Sequence, residues 1–218
     1  MNAPAADDSA TPVTSGARRA ACATCLRAQA ACICRWIAPV AHRVEVLILQ
    51  HPMEVANAKG SARLLHLSLP GSALIVGEAF APADLQPLLA GKHNVLLYPD
   101  TPADQSLGIA PPPALDPDWL RRPESLRLVV LDGTWRKSRK MLYLNPLLQR
   151  LPRLPLRDTP PSHYLIRKAH AADQLSTLEA SVYALAQLEG DAPRFQPLIA
   201  AFDGFVAQQL AYIAPQKS

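Results

Sequence analysis

The run LVVLDGTWRKSRKML at 128–142 places an acid, a glycine, a hydroxyl, an indole and four cations directly after an apolar stretch. A carboxylate such as Asp132 can take a proton or hold an ammonium group, and the glycine beside it lets the backbone turn and approach a ligand. Trp135 offers a flat face for a nucleobase or, equally, a plug for the corner between strand and helix. Arg136, Lys137, Arg139 and Lys140 suit phosphate. Two other apolar runs stop in the same way, at Gln50-His51-Pro52-Met53-Glu54 and at Tyr98-Pro99-Asp100. For His51 and Glu54 alone, a polar loop that merely caps a helix explains the residues better than a ligand does.

A second kind of chemistry sits near the start. Cys22, Cys25, Cys32 and Cys34 are all the cysteines of the chain and fall within thirteen residues, as CxxC, a six-residue gap and CxC. Two short chelating pairs suit tetrahedral zinc with thiolate ligands, and four protein ligands close such a site, which makes it structural. Two labile disulfides or four unmetallated thiols are the alternatives. Trp36 is the expected packing anchor for this otherwise coreless segment.

The elements that must position these groups follow from periodicity. Val129–Leu131 reads as a strand covered on both faces, because a continuous β-branched and Leu run has no polar side. Arg43–Gln50, Ala73–Phe80 and Asn94–Tyr98 read as further strands. A helix is expected to begin around Asn57, Lys59 and Arg63 and to carry Leu64, Leu65 and Leu67 inward. The proline-rich stretch 101–123 reads as a surface excursion. Asn145-Pro146 stops the basic helix, and Tyr164 and Ile166 lie on one side of a short extended piece. Ser176 with Glu179 three residues on is a capping box, which accounts for both residues without a ligand. Gly190 ends that helix, and Pro197 is expected to start the last one. Strands alternating with short helices predict an α/β fold with a mostly parallel sheet flanked by helices, whose ligand site lies beyond the strands' carboxyl ends.

Composition sets the frame. With 218 residues, 49% of them hydrophobic, the chain can bury a full core. The expected divisions are a disordered leader at 1–20, a zinc-binding segment at 21–36 and a catalytic domain at 37–214. No apolar run approaches the roughly 20 residues of a membrane span, and no secretory signal is visible, so a cytoplasmic location is expected. The net charge of +4 is unevenly spread. Between Gly133 and His170 nine basic residues face one acid, Asp158, which leaves the remainder net negative. That asymmetry favours a polyanionic partner, although a solvated basic helix face would look the same.

Taken in order, the cysteine pattern, the 50–54 motif, Tyr98-Pro99, Asp132-Gly133-Thr134-Trp135, Tyr164-Leu165-Ile166-Arg167-Lys168 and Leu175-Ser176-Thr177-Leu178-Glu179-Ala180 closely resemble the DTW-domain family, over about residues 20 to 210. The resemblance implies a tRNA-uridine aminocarboxypropyltransferase, which moves the 3-amino-3-carboxypropyl group of S-adenosylmethionine to N3 of a uridine and releases 5′-methylthioadenosine. It also implies a SPOUT-like catalytic part with a C-terminal trefoil knot.

On that resemblance the S-adenosylmethionine site comprises Leu131, Asp132, Gly133, Thr134 and Trp135, with Tyr98 and Pro99 beside them. Arg167 and the turn Leu175, Ser176, Thr177 and Glu179 complete it. Arg167, or the backbone N–H groups at the Ser176 helix start, would take the carboxylate of the transferred tail, and Asp132 its ammonium. Asp132 would also orient or deprotonate N3, with Glu54 the competing candidate. The tRNA contacts are expected at His51, Asn57, Lys59 and Arg63 on one side, and at Arg136, Lys137, Arg139, Lys140 and Lys168 on the other. A SPOUT-type RNA methyltransferase and a zinc-stabilised RNA-binding adaptor are the rival readings. Monomer and homodimer are both open.

Overall fold

The computed structural model describes residues 20–99, 109–162 and 175–213. Most of the expected leader lies outside them, as do the segment Tyr164–Lys168 and Asp100.

Four strands, β1 (Glu45–Gln50), β2 (Ala73–Val76), β3 (His93–Leu97) and β4 (Leu126–Asp132), form one parallel sheet in the order β2-β1-β4-β3. Helices α1 (Ala62–Ser68), α2 (Pro82–Leu89), α3 (Trp135–Leu144), α4 (Pro146–Gln149), α5 (Thr177–Glu189) and α6 (Ala192–Ile213) flank it. Because side chains alternate across a strand, the continuous apolar runs feed two cores at once. Val46, Ile48, Leu128 and Val130 pack with Leu64 and Leu65 of α1 and with residues of α5 and α6 such as Leu185 and Phe202. Leu47, Leu49, Val129 and Leu131 face the other way, onto Leu85 of α2, Met141 and Leu142 of α3 and Leu148 of α4.

The helix that follows β1 and the helix that follows β4 therefore lie on opposite faces of the sheet, although the two strands are neighbours. Such a reversal opens a crevice at the strands' carboxyl ends. The β1–β4 register brings Gln50 opposite Asp132 there.

The N-terminal segment docks on α6. The indole N–H of Trp36 donates to Gln208 Oε1 at 2.5 Å, and Gln208 Nε2 donates to the Cys32 carbonyl at 3.1 Å. Tyr212 Oη donates to the Ala30 carbonyl. The ring of Trp36 lies directly on Gly204, as expected of a packing anchor.

Three boundaries differ widely from the periodicity, the ends of β1 and β3 by no more than two residues. The second strand stops at Val76 rather than Phe80: Gly77 N makes a last bond to the Gln50 carbonyl at 3.0 Å, and Phe80 N turns to Asn145 Oδ1 at 2.8 Å. The first helix begins at Ala62, not near Asn57, because residues 57–60 close into turns of their own: Lys59 N donates to Asn57 Oδ1 and Gly60 N to the Asn57 carbonyl. The last helix begins at Ala192, five residues before Pro197. Asp191 Oδ1 accepts from Arg194 N at 3.2 Å, so Asp191 caps the helix and Pro197 sits inside it.

A Cβ on residue 204 would come within 2.2 Å of the Trp36 ring. Gly204→Ala is therefore expected to lower stability by about 1–3 kcal/mol, as overpacking does, seen as a fall in melting temperature. An unchanged melt would mean that the segment is not docked on α6.

Candidate active site and metal centre

Asp132 ends β4 with its carboxylate 5% exposed. Oδ2 accepts from Gln50 Nε2 at 2.8 Å and Oδ1 from the Thr177 hydroxyl at 2.7 Å, while its main-chain oxygen accepts from His51 N. The acid thus joins β1, β4 and the start of α5. A cleft opens beside it, lined by Glu54, Asn57, Lys59, Gly60 and Ser61 from the loop after β1, Asp132 and Gly133 from the end of β4, and Ser176 and Thr177 from the start of α5. Two carboxylates, one lysine and a helix start converge in one crevice.

Gly133 serves this site by close approach, not by a left-handed turn: a Cβ there would meet Lys137 Cβ at 3.1 Å and Ser138 Oγ at 3.4 Å. The glycine lets the first turn of α3 fold back against the strand end. Thr134, exposed, occupies the N-cap position of α3.

Glu54, also 5% exposed, pairs with Lys137 Nζ at 2.7 Å through Oε1 and accepts from Asn57 Nδ2 at 2.7 Å through Oε2. His51 is buried. Its Nδ1 accepts from Met53 N, so Nε2 carries the hydrogen and donates to Glu78 Oε1 at 2.8 Å. Glu78 also holds Lys140 at 2.9 Å, and Lys140, then His51, keep its carboxyl below the usual glutamate range. Two of the four cations of α3 expected to meet RNA, Lys137 and Lys140, are thereby engaged with acids of the chain itself. Arg136 and Lys59 are exposed, and Arg63 and Arg139 are partly buried.

Trp135 is 50% exposed and stacks on Tyr98, with ring centroids 5.1 Å apart and planes 18° apart. The Arg153 guanidinium lies over the Tyr98 ring at 5.0 Å. Tyr98 is buried as the middle layer, and Trp135 is the layer that reaches solvent. Its exposure argues against the corner plug and for a stacking surface. Pro99 is exposed beside it and Leu131 is buried beneath the cleft.

The capping box at α5 is present in full. Ser176 N donates to Glu179 Oε2 and Glu179 N to Ser176 Oγ, while Leu178 N donates to Ser61 Oγ. The N–H groups expected to receive a substrate carboxylate are thus already spoken for at three positions, and Glu179 is fully buried in that role. Leu175 is partly exposed. Arg167 and Lys168 lie outside the described residues. Sequence reasoning gave no role to Gln50, Glu78 or Ser61. Gln50 stood in the 50–54 motif, but no residue spacing ties it to Asp132.

The four cysteine sulfurs lie within 4.8 Å of one another, with Cys22 to Cys34 at 3.5 Å and Cys25 to Cys32 at 3.7 Å, and no disulfide joins them. Thiolate ligands about 2.3 Å from a tetrahedral ion stand at comparable spacing, so the cluster can hold a metal ion. Backbone N–H groups of Cys25 and Thr24, then the Cys34 thiol, lower the Cys22 pKa to about 6, and burial first of all pushes Cys34 up to about 12.

The fold and this site define a class: a doubly wound parallel α/β protein with a carboxylate-bearing cleft at the strand ends and an N-terminal four-cysteine centre. The DTW domain matches residues 19–210. The chain belongs to the DTW-domain family. It is 32% identical over 190 residues to tRNA-uridine aminocarboxypropyltransferase 2 of Drosophila melanogaster, covering 84% of this chain and 72% of that protein. It is 27% identical over 201 residues to the protein of the same name from Macaca fascicularis, covering 87% and 65%. With tRNA-uridine aminocarboxypropyltransferase A of Arabidopsis thaliana it shares 25% identity over 224 residues, 92% of this chain and 84% of that one. The chain thus spans a little under two thirds of the macaque relative. No solved structure matches it. Among the described residues no helix is long and apolar enough to cross a membrane.

Removing the metal with a strong chelator is expected to lower the melting temperature and release the segment around Cys22–Trp36, since binding of an ion to the native state stabilises it. A chain whose melt ignores both zinc and chelator has no such centre. The lowered Glu78 pKa means that its ion pairs stabilise the fold above the unperturbed value of 4.5, and that this gain disappears as pH falls through the lower folded value. The melting difference between wild type and Glu78→Gln should be present at neutral pH and fade below about 4.5. A constant difference would refute the pairing.

Proposed function

We propose that this protein is a tRNA-uridine aminocarboxypropyltransferase that uses S-adenosylmethionine as donor and N3 of a uridine as acceptor. The observation that carries the reading is the Asp132 carboxylate, buried yet bordering the cleft, with the half-exposed Trp135 face next to it in a chain of the DTW-domain family. The reaction forms a bond between uridine N3 and the methylene next to the sulfonium, breaks the carbon–sulfur bond and releases 5′-methylthioadenosine. The N3 proton must leave, and Asp132 is the group to orient N3 and accept it. Glu54 is committed to the Lys137 cation and serves better to shape the cleft, whereas Asp132 is held at the end of β4 by Gln50 and Thr177, on the cleft's border.

The rest is positioning, which in such a displacement supplies much of the rate. Trp135 gives a flipped base a face on which to stack. The carboxylate of the transferred tail goes to a side-chain cation, Lys59 at the cleft or Arg167, because the α5 start is occupied by its own cap. Arg136, Lys59, Arg63 and Arg139 are the residues to meet tRNA phosphates. The four cysteines bind zinc structurally. The catalytic part, read as residues 37–214, is SPOUT-like with a C-terminal trefoil knot, a reading that the parallel sheet and the carboxyl-edge cleft support. A cytoplasmic location goes with the tRNA substrate.

The test is a transfer assay on unmodified tRNA with S-adenosylmethionine labelled separately in the methyl and in the carboxyl carbon. Carboxyl label in the tRNA, with methylthioadenosine released, is expected. Asp132→Asn should cut turnover by about 100-fold or more, the range of general-base contributions, while both substrates still bind. Methyl label in the tRNA would make this a methyltransferase, and neither label across a panel of tRNAs, with both substrates bound, would make it an adaptor.

A further inference from the structure

The cysteine centre and the cleft are not independent, and one residue connects them. Arg27 follows the first cysteine pair, just after Leu26, whose φ of +62° turns the chain back on itself. Its guanidinium donates from Nη1 to the Ala58 carbonyl at 2.5 Å and from Nη2 to the Gly60 carbonyl at 2.7 Å. It also lies over the Phe205 ring of α6 at 5.0 Å. Ala58 and Gly60 belong to the loop that supplies Asn57, Lys59 and Ser61 to the cleft. That loop belongs to no helix or strand, and at its far end the Ser61 hydroxyl oxygen accepts from Leu178 N.

We propose that Arg27 is a positioning residue through which the metal-loaded cysteine segment holds the 57–61 loop in its cleft-lining shape. A planar guanidinium bonding two carbonyls of one turn fixes the turn's orientation as well as its distance, which a single donor cannot. Through Asn57 the same loop holds one oxygen of Glu54, and through Lys59 it presents a cation to the cleft. Loss of the metal would free the segment that carries Arg27, and the loop would lose the two hydrogen bonds that brace it. The effect on turnover rests on the cleft's being the tRNA site.

Hydrogen exchange of the full-length, zinc-loaded chain tests this. In wild type, chelation should speed exchange of the Asn57, Lys59 and Gly60 amides by about tenfold or more, with the β4 amides unchanged as an internal control. Arg27→Ala should produce the same acceleration while keeping its zinc, and chelation should then add nothing further in this loop. Arg27→Lys, which can bond one carbonyl, should fall between the two, and it carries the test if Arg27→Ala loses its metal. Wild-type exchange in Arg27→Ala, or a loop that chelation loosens as much in Arg27→Ala as in wild type, overturns the proposal, as does a chain that binds no zinc. In the transfer assay Arg27→Ala should raise KM for tRNA several-fold, with partial rescue by Arg27→Lys. Absence of any transfer by wild type would defeat the functional reading and leave the exchange result standing.

Discussion

An ionised carboxylate taken out of water must be given back the hydrogen bonds it loses. Asp132 receives them from two directions, Gln50 on the neighbouring strand and Thr177 at the start of α5. The first fixes strand pairing: Gln50 and Asp132 are register partners, and a slip of one residue would turn the acid to the opposite face and strand its amide partner. The second fixes the helix that follows a long intervening segment. The carboxyl edge is therefore arranged around one group that the fold tolerates only when every neighbour is in place. The same requirement gives the cleft its shape, because the strand that carries the acid and the strand that supplies Gln50 are the two whose following helices pack on opposite faces of the sheet.

The basic surface is less uniform than its composition suggests. Lys137 and Lys140 answer Glu54 and Glu78, and through Glu78 the buried His51. The acids are supplied by other strands, so the charge surplus of the 133–170 stretch is partly spent inside the fold. Arg136 beyond β4 and Lys59 beyond β1 are both exposed, one on each side of the crevice. A polyanion would be guided to the mouth of the cleft more than to the helix as a whole.

The strands, the cysteine cluster, the capping box at Ser176 and the stop at Gly190 were legible in the sequence because each depends on neighbours a few residues away. Covered strands write continuous apolar runs, and four thiols in thirteen residues have few other uses. The helix starts at Ala62 and Ala192 were misplaced because local side chains decided them: Asn57 folds its own turn, and Asp191 outcompetes Pro197 as a start signal. The partners of the site were not legible. Gln50 is 82 residues from Asp132, Arg27 is 31 from Ala58, and a single sequence holds no record of which distant polar groups meet. The Tyr98–Trp135 stack has the same character: both aromatics were singled out, but only the fold makes one the support of the other.

The docking of the cysteine segment on α6 also has a consequence for synthesis. Trp36 and Gln208 are 172 residues apart, so the segment leaves the ribosome long before its platform exists. At roughly 5–20 residues per second, that interval is on the order of ten seconds or more. The four thiols are close enough in the chain to gather an ion on their own during that time, whereas Trp36 must wait for Gly204. An ion captured early would keep the nascent thiols from oxidation and deliver the segment already folded to the last helix, which makes the order of translation itself part of how this end of the molecule is assembled.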